Sequence, residues 1–352
     1  MARKKFFLTL LLTIIFYNFV YSDFSYKATK ISIVLSESDV VFVGKVNKVE
    51  ATSSTYISYI EVVEMLKGST GDKNIILNSK LINGAYTGDE AYPYKGNTYI
   101  FFCRKGGEGY MFTTTHIGKL SAILIELPHL PESFARKDDI TLLLNAYNRN
   151  KELFSKAGKQ ELFNLYPQLK SEDIQFRVLA DIEDLADKYD TEFFAKGLKS
   201  DNDIQYHLFS IRKVSLLKIE QFKETIVSLL LTTPNTDINF TKISRLLGSL
   251  RDYVDIKFKD IFLEYINSER EDYRYISYQA IGRLGDEATI LALVPYYAKE
   301  KDATYRSAII TALENIKNND VLIPVLLELK KIESEEFMIQ RIDEIIAKRT
   351  RG

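Results

Sequence analysis

The sequence predicts a multidomain chain in which a small all-β module precedes an all-α array of repeated helix pairs. Three observations predict it. Short β-branched and aromatic runs, separated by glycine-containing turns, fill the region before residue 127. A 32-residue self-match relates 273–299 to 305–331. Pro128 and Pro131 stand between these two textures and mark the boundary.

Composition sets the outer limits. At roughly 100–200 residues per domain, 352 residues allow two or three domains. Hydrophobic residues make up 46% and charged residues 27%, enough apolar material for a core. Net charge is −1, from 47 basic and 48 acidic residues, and no basic stripe interrupts the balance. That argues against a nucleic-acid partner.

Residues 1–22 read as a secretory signal peptide. Arg3, Lys4 and Lys5 form a basic start, Phe6 to Val20 an apolar run, and Val20-Tyr21-Ser22 a cleavage site after Ser22. The run is shorter than the ~20 residues a helix needs to span a bilayer, and no later stretch is long and apolar enough to do so. The expected location is therefore the periplasm, the cell surface or the medium. Asp23 stands where a lipoprotein would carry cysteine. The chain's one cysteine, Cys103, leaves no internal disulfide framework.

Residues 24–36 suit a short helix. Strand signals follow at 40–46, 56–66, 75–77 and 99–103. In the second of these, Ile60 and Val62 share one face, and Tyr59, Glu61 and Val63 the other. Gly106-Gly107-Glu108-Gly109 makes a hairpin turn into 110–115, since glycine takes positive φ without steric cost. Five or so strands in this order predict a small closed or partly open barrel over 23–127.

Three stretches carry a family resemblance. Ser38-Asp39-Val40-Val41-Phe42-Val43-Gly44-Lys45-Val46, then Val62-Val63-Glu64-Met65-Leu66-Lys67-Gly68, then Tyr94-Lys95-Gly96-Asn97-Thr98-Tyr99-Ile100-Phe101-Phe102 together resemble the OB-like barrel of netrin-module and tissue-inhibitor-of-metalloproteinase-like proteins. The resemblance implies the fold. It does not carry the inhibitory activity, because those inhibitors begin with a zinc-gripping cysteine and the expected mature start here is Asp23.

Residues 128–159 read as a linker and connecting helix, with Ile140, Leu143, Leu144 and Tyr147 on one helical face. From 160 to 352 helix pairs recur. In the self-match Arg274 aligns with Arg306, Ala280 with Ala312, Leu284 with Ile316, and Leu293 with Val325. Gly285-Asp286 and Asn318-Asn319-Asp320 are the turns inside each pair: Gly and Asn end helices, and the aspartates are placed to cap the next. Weaker copies lie at 176–198, 206–231 and 243–266, and 337–348 reads as a terminal helix. The stretch from Tyr273-Arg274 through Ala280-Ile281-Gly282-Arg283-Leu284-Gly285-Asp286 resembles HEAT repeats, which implies a superhelical array.

Chemistry is sparse. His116, His129 and His207 have no second ligand at metal-binding spacing. Cys103 ends an apolar strand and reads as a core residue. Gly68-Ser69-Thr70-Gly71-Asp72-Lys73 lacks P-loop spacing and precedes a strand. The acidic groups Asp138-Asp139 and Glu183-Asp184 with Asp187 lack the spacing of a calcium loop. No cofactor or metal is expected. Arg274 and Arg306, with Arg177 and Arg212 as weaker candidates, have two readings: each pairs with an acidic residue between repeats, or together they line a groove for an acidic partner. The resulting expectation is an exported, non-enzymatic scaffold of the bacterial cell envelope that binds a protein or peptide through its repeats. The alternatives are an inhibitor or regulator of an extracellular enzyme acting through the barrel, an enzyme with a site the sequence does not reveal, or a passive structural role.

Overall fold

The computed structural model describes residues 30–51, 55–80, 93–106, 109–112, 122–124, 131–200 and 202–351. The expected signal peptide, His116 and His129 lie outside them. The chain divides into two compact units, Met1–Ala186 and Asp187–Gly352.

The first unit opens with helix α1 (Ile31–Glu37). Strands β1 (Val40–Ala51), β2 (Thr55–Lys67), β3 (Asn74–Lys80) and β4 (Thr98–Gly106) follow, with the short β5 (Gly109–Phe112) and β6 (Ala122–Leu124). The expected strands are present over the described residues, with 113–115 of the expected fifth strand lying outside them, and β6 is an addition. The sheet is antiparallel through β2, β1 and β4, with β3 on β2 and both β5 and β6 on β4. Gly106 pairs with Gly109, which fixes the expected hairpin. A single parallel pair, Leu77 with Tyr110, joins β3 to β5. A continuous ladder does not cross that seam, so the expected closed or partly open barrel is corrected to a small antiparallel sheet that is not closed into a barrel.

Alternation builds the sheet's core from Val40, Phe42, Val46, Ile60, Ile75, Leu77, Tyr99, Phe101 and Cys103. The rings of Phe42 and Phe101 stack at 5.2 Å between centroids. Register slips between Val43 and Gly44, whose partners are Glu64 and Val62. Val63 is therefore the bulged residue. It is exposed, and the extra residue brings Met65 rather than Glu64 round to the core side.

Lys67-Gly68 has a specific task at the end of β2. The Lys67 ammonium donates to the Leu35 carbonyl at 2.7 Å and the Ser38 carbonyl at 2.6 Å, neutralising the C-terminal end of α1. Gly68 has φ +71°, and a Cβ there would lie 2.4 Å from the Asp39 carbonyl oxygen. Helices α2 (Pro131–Arg149), α3 (Lys159–Leu165) and α4 (Glu172–Leu185) complete this unit. α2 packs on β2 and α4, and α1 packs on β4 and α4.

The second unit holds α5 (Thr191–Leu198), α6 (Ile204–Leu216), α7 (Lys223–Thr232), α8 (Phe240–Tyr253), α9 (Lys259–Tyr265), α10 (Glu271–Leu284), α11 (Glu287–Leu291), α12 (Val294–Tyr297), α13 (Ala303–Leu313), α14 (Asn319–Ile332) and α15 (Glu336–Arg351). Their order follows the expected pairs. α6 packs on α8, α8 on α10, α10 on α13, and α13 touches α15. The second helix of each pair lies against the first helix of the next: α7 on α8, α9 on α10, α12 on α13, α14 on α15.

The turns behave nearly as expected. Gly285 ends α10 in the left-handed region at φ +70°. Asn318, not Asp320, caps α14 by accepting from the Asp320 N–H at 3.1 Å. The Asp286 carboxylate takes the Thr289 hydroxyl instead of a backbone N–H. Val254 ends α8 at φ +54°, a conformation costly for a β-branched side chain.

Small residues set the closest helix approach. Ala280 and Ala312 are buried as expected, and α10 meets α13 most closely at Gly282, where a Cβ would fall 2.7 Å from Ala312 Cα and 2.8 Å from its Cβ. Gly248 on α8 has no atom within 4 Å of such a position. Gly282→Ala will thus force α10 and α13 apart and cost about 1–3 kcal/mol. Gly248→Ala will be neutral or stabilise by up to about 1 kcal/mol, through lost chain entropy in the unfolded state. Urea midpoints of the two variants check both signs.

Candidate functional site

The two arginines singled out in the sequence form two matching buried joints. Arg274 sits in the first turn of α10, and Arg306 in the first turn of α13. Nε of Arg274 donates to Glu300 Oε1 at 2.6 Å and its Nη2 to Oε2 at 2.9 Å, a bidentate pair. Its Nη1 donates to the carbonyls of Ser268 and Glu269 at 2.9 and 3.1 Å. Arg306 repeats the pattern. Nε and Nη2 hold Glu333 at 2.9 and 3.1 Å, and Nη1 reaches the carbonyls of Glu300 and Lys301 at 3.0 and 2.8 Å. Each arginine thus joins the start of a helix pair to the end of that pair and to the end of the pair before it.

A tyrosine completes each joint, from a different place. The Tyr278 hydroxyl, one turn beyond Arg274 on α10, donates to Glu300 Oε1 at 2.7 Å. The Tyr297 hydroxyl, on α12, donates to Glu333. Glu333 also accepts the N–H groups of Ser334 and Glu335 at 2.8 and 2.9 Å, which caps the entry to α15. The side chains of Glu300 and Glu333 are only 4% and 1% exposed, so their ionised state depends on these donors.

The electrostatics follow. Burial pushes the Glu300 carboxyl up, but the hydrogen bonds from Arg274 and Tyr278 outweigh it and hold it below the usual carboxylate range. Burial acts the same way on Glu333, and Arg306, Tyr297 and the Glu335 N–H overcome it. Burial and the Glu300 bond push the Tyr278 phenol up. All three nitrogens of each guanidinium donate to the chain itself. The geometry therefore supports the internal-pairing reading of Arg274 and Arg306 over an open anion groove.

The weaker arginine candidates do not share this arrangement. Arg177 pairs with Asp173 one turn back on its own helix, at 3.1 Å. Arg212 lies on α6, beyond its first turn. Among the described residues, no group of three or more His, Cys, Asp or Glu could hold a metal ion. Cys103 is buried opposite Val40, and burial pushes its thiol up. His207 is buried on α6 with Nδ1 3.2 Å from the Gly197 carbonyl oxygen.

Two carboxylates of the first unit have roles that the sequence concealed. Asp139, from the acidic pair, is buried and accepts from the N–H groups of Lys170 and Ser171 at 3.0 and 2.7 Å, tying α2 to the start of α4. Asp181 accepts the N–H of Ser32 at 3.1 Å and the Ser32 hydroxyl, tying α4 to α1. Burial raises its carboxyl to about 6, against the Ser32 hydrogen bonds.

Glu300 and Glu333 were not singled out by sequence reasoning, because they are 33 residues apart while the matched residues are 32 apart. A one-residue shift in the alignment of the second helices aligns them. No family model matches the chain, and no curated protein matches it significantly.

The joints make a signed pH prediction. Both carboxyls are held below the ordinary value of 4.5 in the folded state. Their contribution is complete above 4.5 and is lost as pH falls through the lower folded values, where the unfolded chain binds protons first. Glu333→Gln will cost roughly 3 kcal/mol at pH 7, because it leaves Arg306 without its counter-charge. The gap to wild type will shrink below pH 4.5. Urea denaturation at pH 7 and 3.5 checks this, and a gap independent of pH contradicts it.

Proposed function

We propose that this is an exported, non-enzymatic binding protein of the bacterial cell envelope, and that its second unit is a HEAT-like helical array that recognises a protein or peptide partner. The observation that carries the reading is the range of the contacts in that unit. Many of the side-chain bonds between its helices connect residues 26–34 apart: Ser215 to Ser249, Tyr253 to Ile219, Lys223 to Asp255, Arg251 to Gln279, Arg274 to Glu300, Arg341 to Ser307. Contact at one repeat length, with little beyond, is how stacked repeats are held, and stacked repeats present extended surfaces to proteins and peptides.

Other observations support parts of the proposal. The strand pairing β1-β2-β3-β5-β4, with β4 returning to β1, suits an OB-like module, which is a partly open architecture. Among the described residues, no helix is long and apolar enough to cross a membrane. The basic and apolar composition of residues 1–22 favours export. With Arg274 and Arg306 turned inward, partner recognition falls to exposed side chains of the array.

Crosslinking in envelope fractions tests the proposal. A partner that rebinds the purified chain, with crosslinks on residues 187–352, is the expected result. Crosslinks confined to residues 30–124 would instead favour the inhibitor alternative acting through the sheet, and turnover of a candidate substrate by the purified chain would favour an enzyme.

A further inference from the structure

We infer that α10–α15 is held as one body by a continuous strap of charge-assisted hydrogen bonds, and that the helical unit yields upstream of it, between α8 and α10. This inference concerns how the unit moves and does not depend on which partner it binds.

Glu300 is the node of the strap. Its carboxylate holds Arg274, and its backbone carbonyl accepts from Arg306 at 3.0 Å. Arg306 in turn holds Glu333, whose carboxylate accepts the Ser334 and Glu335 N–H groups at the entry to α15. The path therefore runs without a gap from the Ser268 carbonyl, before α10, to the residues just before α15. Side branches reinforce its far end. Arg341 donates to the hydroxyls of Ser307 and Thr311 and to Glu314, and Arg349 donates to the Glu314 carbonyl.

Upstream, Arg274 Nη1 ties α10 to the Ser268 and Glu269 carbonyls that follow α9, but the side-chain bonds from α8 and its N-terminal approach to α10 are of another kind. Arg283 meets Asp252 at 3.0 Å with the arginine half exposed, and Arg270 meets Asp237, whose side chain is 95% exposed. The Tyr273 hydroxyl stands 3.5 Å from the Phe240 carbonyl, at the limit of a hydrogen bond. Arg251 bonds to Gln279, a neutral acceptor, at 2.7 Å. Water screens exposed ion pairs to a small net value, whereas breaking a buried pair strands a charge. Helix packing is of similar extent on both sides of α10, so the polar bonds decide where the stack opens.

Native-state hydrogen exchange of the full chain in increasing urea tests this. The slowest amides of α10, α13 and α15 will merge on one urea dependence, and those of α6 and α8 will open at lower urea. Glu333→Gln will speed exchange in α10 roughly tenfold or more, although Glu333 bonds only to Tyr297, Arg306 and the backbone at 334–335. Lys330→Met, which removes the exposed pair with Asp343 outside the strap, will leave α10 unchanged. Separate urea dependences for α10, α13 and α15 in the wild-type chain would overturn the inference, and that measurement stands even where the variant fails to fold. An effect of Glu333→Gln that stops at α13 would also overturn it.

Discussion

A carboxylate taken out of water must be paired, and in the helical unit that requirement falls on Glu300 and Glu333. Each lies where one helix pair ends, at the point where the chain turns into the next. Among the described residues, the cations that pair with them come from the first turn of an adjoining helix: Arg274 for Glu300 and Arg306 for Glu333. The planar guanidinium then has Nη1 left over, and it is placed against the carbonyls that end the preceding pair. One side chain thus satisfies a buried charge and two backbone acceptors at once. The spacing between helix pairs is fixed by the length of an arginine as much as by apolar contact.

The remaining order of the unit is consistent with that constraint. Where arginine joints are absent, neutral groups make the links. Ser249 donates to the Ile211 carbonyl at 2.7 Å, and the Tyr253 hydroxyl reaches the carbonyl of Ile219 at 2.9 Å. Where the first helices approach most closely, the side chain is removed altogether at Gly282. Each device acts between neighbours in the stack. A chain built this way can vary its exposed residues without disturbing the joints, and the proposed binding role draws on that freedom.

Much of this was legible in the sequence, and the reasons for the remainder are physical. The helix pairs were readable because apolar spacing and turn residues such as Gly285 repeat with the period of the fold. The strands were readable because β-branched runs alternate, as at Ile60 and Val62. Partnership was not legible. A residue such as Glu300 looks like any surface glutamate until the fold buries it, and Asp181 looks like one of several acids on a solvated helix until Ser32 is brought beside it. The OB-like resemblance anticipated the strands and the Lys67-Gly68 corner, yet closure depends on how far β5 runs beside β3, and that contact is one residue pair. Register marks out the arginines in the sequence, and register alone does not distinguish an open row from a set of internal joints.

The central claim is that Arg274 and Glu300 are worth more to each other than to solvent. A double-mutant cycle measures that directly, with Arg274→Met, Glu300→Gln and the double variant compared by urea denaturation at pH 7. The account predicts that the double variant is less destabilised than the sum of the two single variants by about 2 kcal/mol or more, because each single change strands a buried charge and the double change strands none. Additive effects would show that the two side chains act independently, and would contradict the claim.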